Sequence, residues 1–240
     1  FQYLASWMAH GVQQPWELPG VAVVMKGEKG TGKSMVSDIY GGLFGPCYKS
    51  LSNPKMLVGQ FNGHLQDAVV VAVEEAVWAG DKKAEGELKD LITNSKRSYR
   101  YLYREPFWAA NYARIIMSSN EDWVVPATKD ERRFFVPDVS NHRRADNTYF
   151  QALFNEVKYG GREAFLYYLL NRDISEFDVR KVPQTKGLAE QRVENLDPFH
   201  SWVYDALSEG QIGEAFLDFD CGDPWAKAIS GHDLYEAYRK

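Results

Sequence analysis

The sequence predicts an α/β domain built on a mostly parallel sheet, and three observations carry that reading. Residues 21–25 and 68–73 are short apolar runs rich in β-branched side chains, the texture of strands buried on both faces. Residues 113–118 have the same character. Between these runs lie stretches with helical apolar spacing, at residues 33–44 and 85–93. Strands that alternate with helices pair in parallel and carry the helices on their faces.

Taken in order, residues 1–10 read as a helix, followed by a polar connection holding Pro15 and Pro19. The first strand then runs into a glycine-rich turn and a helix that ends near Gly45-Pro46. After Pro137 the texture changes. Residues 149–157 and 162–170 carry apolar side chains at helical spacing, separated by Gly160-Gly161, and a third helix covers 185–193. The segment from Asp197 begins afresh, with Phe199, Trp202, Val203 and Leu207 on one helical face and Leu234, Tyr235 and Tyr238 on another. This divides the 240 residues into a core at 1–145, a helical extension at 146–195 and a truncated small C-terminal domain at 196–240, for which a winged helix is one candidate fold.

Composition narrows the function classes. At 45% hydrophobic and 25% charged the chain is close to the globular average, which excludes disordered, collagen-like and coiled-coil readings. No apolar run approaches the roughly 18 residues that a membrane helix needs. Cys47 and Cys221 lie far apart with no paired metal spacing, so a reducing compartment and no disulfide framework are expected. The five histidines are scattered without ligand spacing. Nothing at Phe1 resembles a signal sequence, and the chain is expected to be a piece of a longer protein. The net charge of −5 means that any contact with nucleic acid must rest on a local patch.

One segment carries explicit chemistry. Gly27-Glu28-Lys29-Gly30-Thr31-Gly32-Lys33-Ser34 matches G-x-x-x-x-G-K-[ST] at every fixed position, between a buried strand and a helix. Glycines let the backbone curl so that its N–H groups face a β-phosphate at the helix N-terminus. Lys33 would reach the β- and γ-phosphates of ATP, and the Ser34 hydroxyl would ligate Mg²⁺. The second strand ends in Glu74-Glu75. Glu74 is placed on the Mg²⁺ shell, and Glu75 orients and deprotonates the attacking water. The third strand closes with Ser118-Ser119-Asn120, where Asn120 can bond the γ-phosphate or the lytic water. Arg132 and Arg133 then precede the apolar Phe134-Phe135-Val136. They either pair with Glu131 on the surface or reach as an arginine finger into a neighbouring subunit's γ-phosphate.

This ordered set resembles the superfamily 3 helicase domain of phage and plasmid primase-helicases, in the branch whose helicase half follows a primase-polymerase half. The stretches Gly59-Gln60-Phe61-Asn62-Gly63-His64-Leu65, Leu88-Lys89-Asp90-Leu91-Ile92-Thr93 and Glu131-Arg132-Arg133-Phe134 strengthen the resemblance, as do Asp173-Ile174-Ser175-Glu176-Phe177-Asp178 and Pro183-Gln184-Thr185. It covers residues 1–195 well and the last segment in outline. It implies a three-layer P-loop NTPase core of AAA+ type that assembles into a hexameric ring and moves along single-stranded DNA using ATP. It also implies a bacterial host cytoplasm, no membrane partner, and a primase half on the same full-length chain. One departure stands out: the family usually shows Asp-Glu where this chain has Glu74-Glu75. The finger falls on the arginine pair, with Arg133 favoured because it directly precedes the strand and Arg132 kept open.

Lys96-Arg97-Ser98-Tyr99-Arg100-Tyr101-Leu102-Tyr103-Arg104 is the most basic and most aromatic stretch. Read with period two, it puts Lys96, Arg100 and Arg104 on one face and Tyr99, Tyr101 and Tyr103 on the other, turning near Glu105-Pro106. A solvated edge strand would look the same. The resemblance makes it the hairpin that such rings push into their channel, with Lys96, Arg97, Arg100, Tyr101 and Arg104 on DNA. The expected activity is an ATP-dependent DNA helicase motor. The alternatives are an ATP-switched replication initiator or scaffold without processive unwinding and, less well matched, a small-molecule kinase.

Overall fold

The computed structural model describes residues 1–75, 82–121, 124–128, 131–209 and 231–239. In chain order the strands are β1 (Ala22–Lys26), β2 (Tyr48–Leu51), β3 (Val70–Val73), β4 (Lys96–Tyr99), β5 (Phe107–Ala110), β6 (Arg114–Ser119) and β7 (Phe134–Phe135). The helices of the first half are α1 (Gln2–Gln13), α2 (Lys33–Gly41), α3 (Lys55–Val58) and α4 (Lys82–Thr93). Those of the second half are α5 (Asn147–Glu156), α6 (Arg162–Asn171), α7 (Lys186–Glu194), α8 (Pro198–Glu209) and α9 (Gly231–Arg239).

Five strands form one parallel sheet in the order β2-β3-β6-β1-β7. Its three central strands are the apolar runs of the sequence, and their alternation sends successive side chains to opposite faces. Val24, Val71, Ile115 and Met117 meet Leu88 and Leu91 of α4 on one face. Val23, Met25, Val70 and Ile116 meet Trp7, Tyr40 and Leu169, from α1, α2 and α6, on the other. All are fully or nearly fully buried, which is worth about 1.5–3 kcal/mol for each large side chain relative to exposure. Truncating Leu88, on the α4 face, should cost about 2–5 kcal/mol.

Several elements depart from expectation. The helix after the glycine turn stops at Gly41 and tightens into a 3-10 stretch, Gly42–Cys47, which is itself broken at Gly45 by a φ of 53° that no regular helix holds. β2 was not expected. It is a four-residue edge strand of mixed polarity, Tyr-Lys-Ser-Leu, paired only with β3. α7 matches closely, with Thr185 at its N-cap accepting a hydrogen bond from the Leu188 N–H. In α8 and α9, Phe199, Trp202 and Tyr238 form an aromatic cluster with centroids 5.5–6.1 Å apart. The segment after Asp197 begins as α8, and residues 210–230, with Cys221, lie outside the described residues.

Arg114 opens β6 and is fully buried. Its Nη2 donates to the carbonyls of Gln14 (2.8 Å) and Glu17 (2.7 Å), and its Nη1 to those of Pro15 (3.2 Å) and Tyr112 (3.4 Å). His10 Nδ1 lies 3.2 Å from Nη2. Burial and the adjacent guanidinium hold the His10 pKa below the usual 6.5. The polar connection after α1 is thereby tied to the N-terminal end of the sheet, opposite the glycine turn.

Candidate phosphate site and hairpin

The glycine turn joins the C-terminal end of β1 to the N-terminus of α2, so its amides and the helix dipole face the same point. Gly30 (φ 80°) and Gly32 (φ 88°) are left-handed, the conformation that a side chain would oppose. Gly32 also lies under the ring of Phe150, where a Cβ would come within 2.6 Å of Cε1. Lys33 is buried, and burial lowers its pKa. Its Nζ donates to the carbonyls of Gly27 (2.6 Å) and Glu28 (2.7 Å) and to Asn120 Oδ1 (2.9 Å). Thr31 Oγ1 donates to the Glu28 carbonyl at 2.9 Å, closing the loop on itself.

Strand order explains why the chemistry converges. β6 lies directly between β1 and β3, and parallel strands end on one side of the sheet. Asn120 therefore stands beside the glycine turn, and Glu74-Glu75 one strand further on. A cavity of about 390 Å³ is lined by Lys29, Gly30, Thr31, Gly32, Lys33, Ser34, Glu74, Glu75 and Asn120, among others. Glu75 takes a left-handed φ of 50°, an unusual cost for a non-glycine residue at a strand end. Two motif positions face elsewhere. Gly27 contributes its carbonyl to Lys33, and the Glu28 carboxylate accepts from Asn141 Nδ2 (2.9 Å) and pairs with Arg144.

The donor set suits a nucleotide with a divalent cation. The left-handed glycines form a concavity, Lys33 supplies buried positive charge, and Ser34 and Glu74 offer hard oxygen ligands in the same cleft. Among the described residues no cluster of three or more His, Cys, Asp or Glu forms a separate metal site. No described helix is long and apolar enough to cross a membrane.

The arginine pair separates. Arg133 Nη1 lies 3.2 Å from Oε1 of the buried Glu131, which also accepts from the main-chain N–H groups of Arg132 (3.0 Å) and Arg133 (2.8 Å). Arg132 is exposed. The favoured position thus has a local partner, and Arg132 is the one whose side chain faces solvent.

The basic-aromatic stretch is a hairpin, but not along its whole length. β4 pairs antiparallel with β5, Ser98 opposite Trp108 and Tyr99 opposite Phe107. The chain leaves the ladder after Tyr99, so the period-two faces end there: Tyr99 is 1% exposed, Tyr101 38% and Tyr103 95%, with Tyr103 left-handed at φ 59°. Arg97 does not face outward. It sits opposite the small Ala109, is 8% exposed, and its Nη2 donates to the Leu57 carbonyl at 3.4 Å, so its assignment to DNA contact is corrected to packing. Lys96 and Arg104 are exposed and Arg100 half-buried.

Phe61 was missed by sequence reasoning. Half-exposed, it packs beneath the Arg100 guanidinium, 5.5 Å from its ring centroid. Asn62 straps this loop to the hairpin: Nδ2 donates to the Ser98 carbonyl (3.1 Å) and Oδ1 accepts from the Arg100 N–H (2.9 Å). Tyr101 stacks on Phe107 and donates its hydroxyl to Gln66 Oε1 at 3.0 Å. An Asn-Gly pair flanked by an aromatic was the available signal.

Fold and site together define a mixed α/β domain with a mainly parallel sheet and a glycine-loop cleft at the strand ends. Residues 25–133 match a family described only as being of unknown function, DUF5906. Over 217 residues the chain is 26% identical to the DNA primase-polymerase of Nitratiruptor phage NrS-1, which takes in 89% of this chain and 30% of that protein. The chain thus spans about a third of that relative's length. Two solved structures of the NrS-1 C-terminal region share the fold. One has TM-score 0.75 at 23% identity, covering 91% of this chain and 52% of that one. The other has TM-score 0.74 at 24% identity, covering 90% and 52%.

Proposed function

We propose that this domain is an ATP-dependent DNA helicase motor of superfamily 3 type, serving a replicative primase-helicase. The observation that carries the reading is the convergence of Lys33, Ser34, Glu74, Glu75 and Asn120 in one cleft at the ends of adjacent parallel strands. That set matches the needs of phosphoryl transfer to water. Lys33 offsets phosphate charge, and Ser34 and Glu74 would hold Mg²⁺, which when bound neutralises charge developing on the phosphates. Glu75 accepts the proton of the attacking water, and Asn120 orients it while also bonding Lys33. Arg132, exposed beside β7, is the better finger for a neighbouring subunit, and the assembly is a hexameric ring. Lys96, Arg100, Tyr101 and Arg104, with Phe61, form the surface for single-stranded DNA. The similarity to a phage DNA primase-polymerase supports a place in DNA replication.

ATPase turnover with and without single-stranded DNA tests this. Stimulation by DNA that is lost in Arg100→Ala/Arg104→Ala, with basal turnover kept, is the expected result. Slow turnover indifferent to DNA would favour the ATP-switched initiator instead.

A further inference from the structure

A second cleft, of about 560 Å³, lies beside the phosphate cavity and shares Met35 with it. One wall is α2, with Met35, Asp38 and Ile39; the other is α5, with Asn147, Phe150, Gln151 and Phe154. Its volume falls within the roughly 300–1,000 Å³ usual for small-molecule sites. Its lining mixes apolar side chains with four polar ones, Asp38, Asn147, Gln151 and Arg162.

Position says what the slot would take. Glu74, Glu75 and Asn120 mark the end of the phosphate cavity where the bond to the terminal phosphate is cut. The nucleoside must leave by the other end, past Met35, one residue beyond Ser34. α5 is held to the loop at that end: Phe150 covers Gly32, and the Ala145 N–H donates to the Gly30 carbonyl at 3.1 Å. Phe154 is 57% exposed, a large aromatic face beside an open slot. Asn147 and Gln151 are four residues apart on α5, hence on the same side of the helix. Side-chain amides pair in bidentate fashion with the N6 and N7 edge of adenine.

The geometry points to the α2–α5 cleft as the nucleoside site. The base stacks on Phe154, Asn147 and Gln151 read its edge in favour of adenine, and Asp38 accepts from the ribose hydroxyls. This rests on the reading that the glycine loop holds nucleotide phosphates.

Calorimetric titration of the wild-type chain with ATP, GTP and inorganic triphosphate separates the two readings. ATP should bind at least about tenfold more tightly than triphosphate, since stacking and edge contacts add to the phosphate contacts. Phe154→Ala should weaken ATP by about 5- to 100-fold and leave triphosphate unchanged, while Phe154→Tyr keeps the affinity. Asn147→Ala/Gln151→Ala should narrow the preference for ATP over GTP. Phe154 is exposed, so an unchanged melting temperature is expected in its variants. Equal wild-type affinity for ATP and triphosphate would overturn the cleft alone. Unchanged ATP affinity in Phe154→Ala, or triphosphate affinity falling in step with ATP, would also overturn it. Binding of neither ligand would overturn the phosphate site as well.

Discussion

Glu74 and Asn120 directly follow two neighbouring strands of one hydrogen-bonded sheet, and Lys33 opens the helix reached from the third across the glycine turn, whereas Arg100, Tyr101 and Arg104 stand in a turn that left its ladder at Tyr99. In the first region main-chain pairing of β3, β6 and β1 sets where Glu74, Asn120 and the glycine turn stand, and Lys33 is bonded to that frame through Gly27, Glu28 and Asn120. In the second, the turn is positioned by side chains, chiefly Asn62 against Ser98 and Arg100, and Tyr101 against Gln66. The contrast teaches where each region is vulnerable. Substitution in the cleft should remove chemistry and leave the framework, while substitution in the strap should loosen the hairpin and leave the chemistry.

The largest expected effects lie in the cleft. Glu75→Gln should keep ATP binding and lose turnover by about 10²- to 10⁴-fold, because an amide cannot take the water's proton. Lys33→Ala should weaken ATP binding itself. Near-normal turnover in Glu75→Gln together with its loss in Glu74→Gln would reverse the two roles.

The arginine pair tests whether the cleft is complete within one chain. Arg132→Ala should cut turnover by about 10³-fold with an unchanged melting temperature, the effect of losing a finger. Mixing Arg132→Ala with Lys33→Ala subunits should restore part of the activity at interfaces that combine one intact loop with one intact finger. Arg133→Ala should instead lower stability by about 1–2 kcal/mol. That is less than a fully buried pair would cost, since Arg133 keeps one-third exposure and two main-chain N–H groups still bond Glu131. The opposite outcome, a stable but inactive Arg133→Ala, would return the finger to that position.

In the hairpin, Arg100→Ala/Arg104→Ala should flatten the slope of log affinity against log salt for single-stranded DNA by roughly 1 to 1.5 units. Asn62→Ala should lower stability by about 1–3 kcal/mol, through two lost hydrogen bonds, and reduce stimulation by DNA without touching basal turnover. A fall in basal turnover would show that the two regions are not independent.

The smallest effect concerns His10. Its folded-state pKa lies below the unfolded 6.5, so the unfolded chain binds a proton first on acidification. Stability is therefore fully present above about pH 6.5 and declines as pH falls from there through the folded pKa. Melting curves between pH 7.5 and pH 5 should show that decline, and His10→Gln should shallow it.

That the glycine loop, Glu74-Glu75 and Asn120 would meet in one cleft was legible because each follows an apolar strand, and parallel strands end on one side of the sheet. The central strands were legible because strands buried on both faces must be continuously apolar. β2 was not, since an edge strand needs no such run and Tyr48–Leu51 looks like a polar connection. The hairpin was legible as a hairpin but not in its faces: the alternation was extended past Tyr99, where the ladder ends, and Arg97 opposite Ala109 turned inward. The choice between Arg132 and Arg133 depended on Glu131 being buried, which no local pattern announces. The α2–α5 cleft joins residues more than a hundred positions apart, and only the folded chain brings them together.

Arg114 has a consequence for how this chain can vary. The acceptors that hold it are the carbonyls of Gln14, Pro15, Glu17 and Tyr112, which every amino acid possesses. The anchor thus selects a path and not a sequence, and the connector is free to drift wherever its main chain can follow the same course. The constraint falls on the other side of the contact. A side chain at Gly11 would place its Cβ 2.0 Å from the Tyr40 hydroxyl and 2.8 Å from Arg114 Nε, so a change there demands a matching change at Tyr40 or Arg114. Among relatives, Gly11, Tyr40 and Arg114 should therefore be inherited as a set, while residues 14–17 diverge around them.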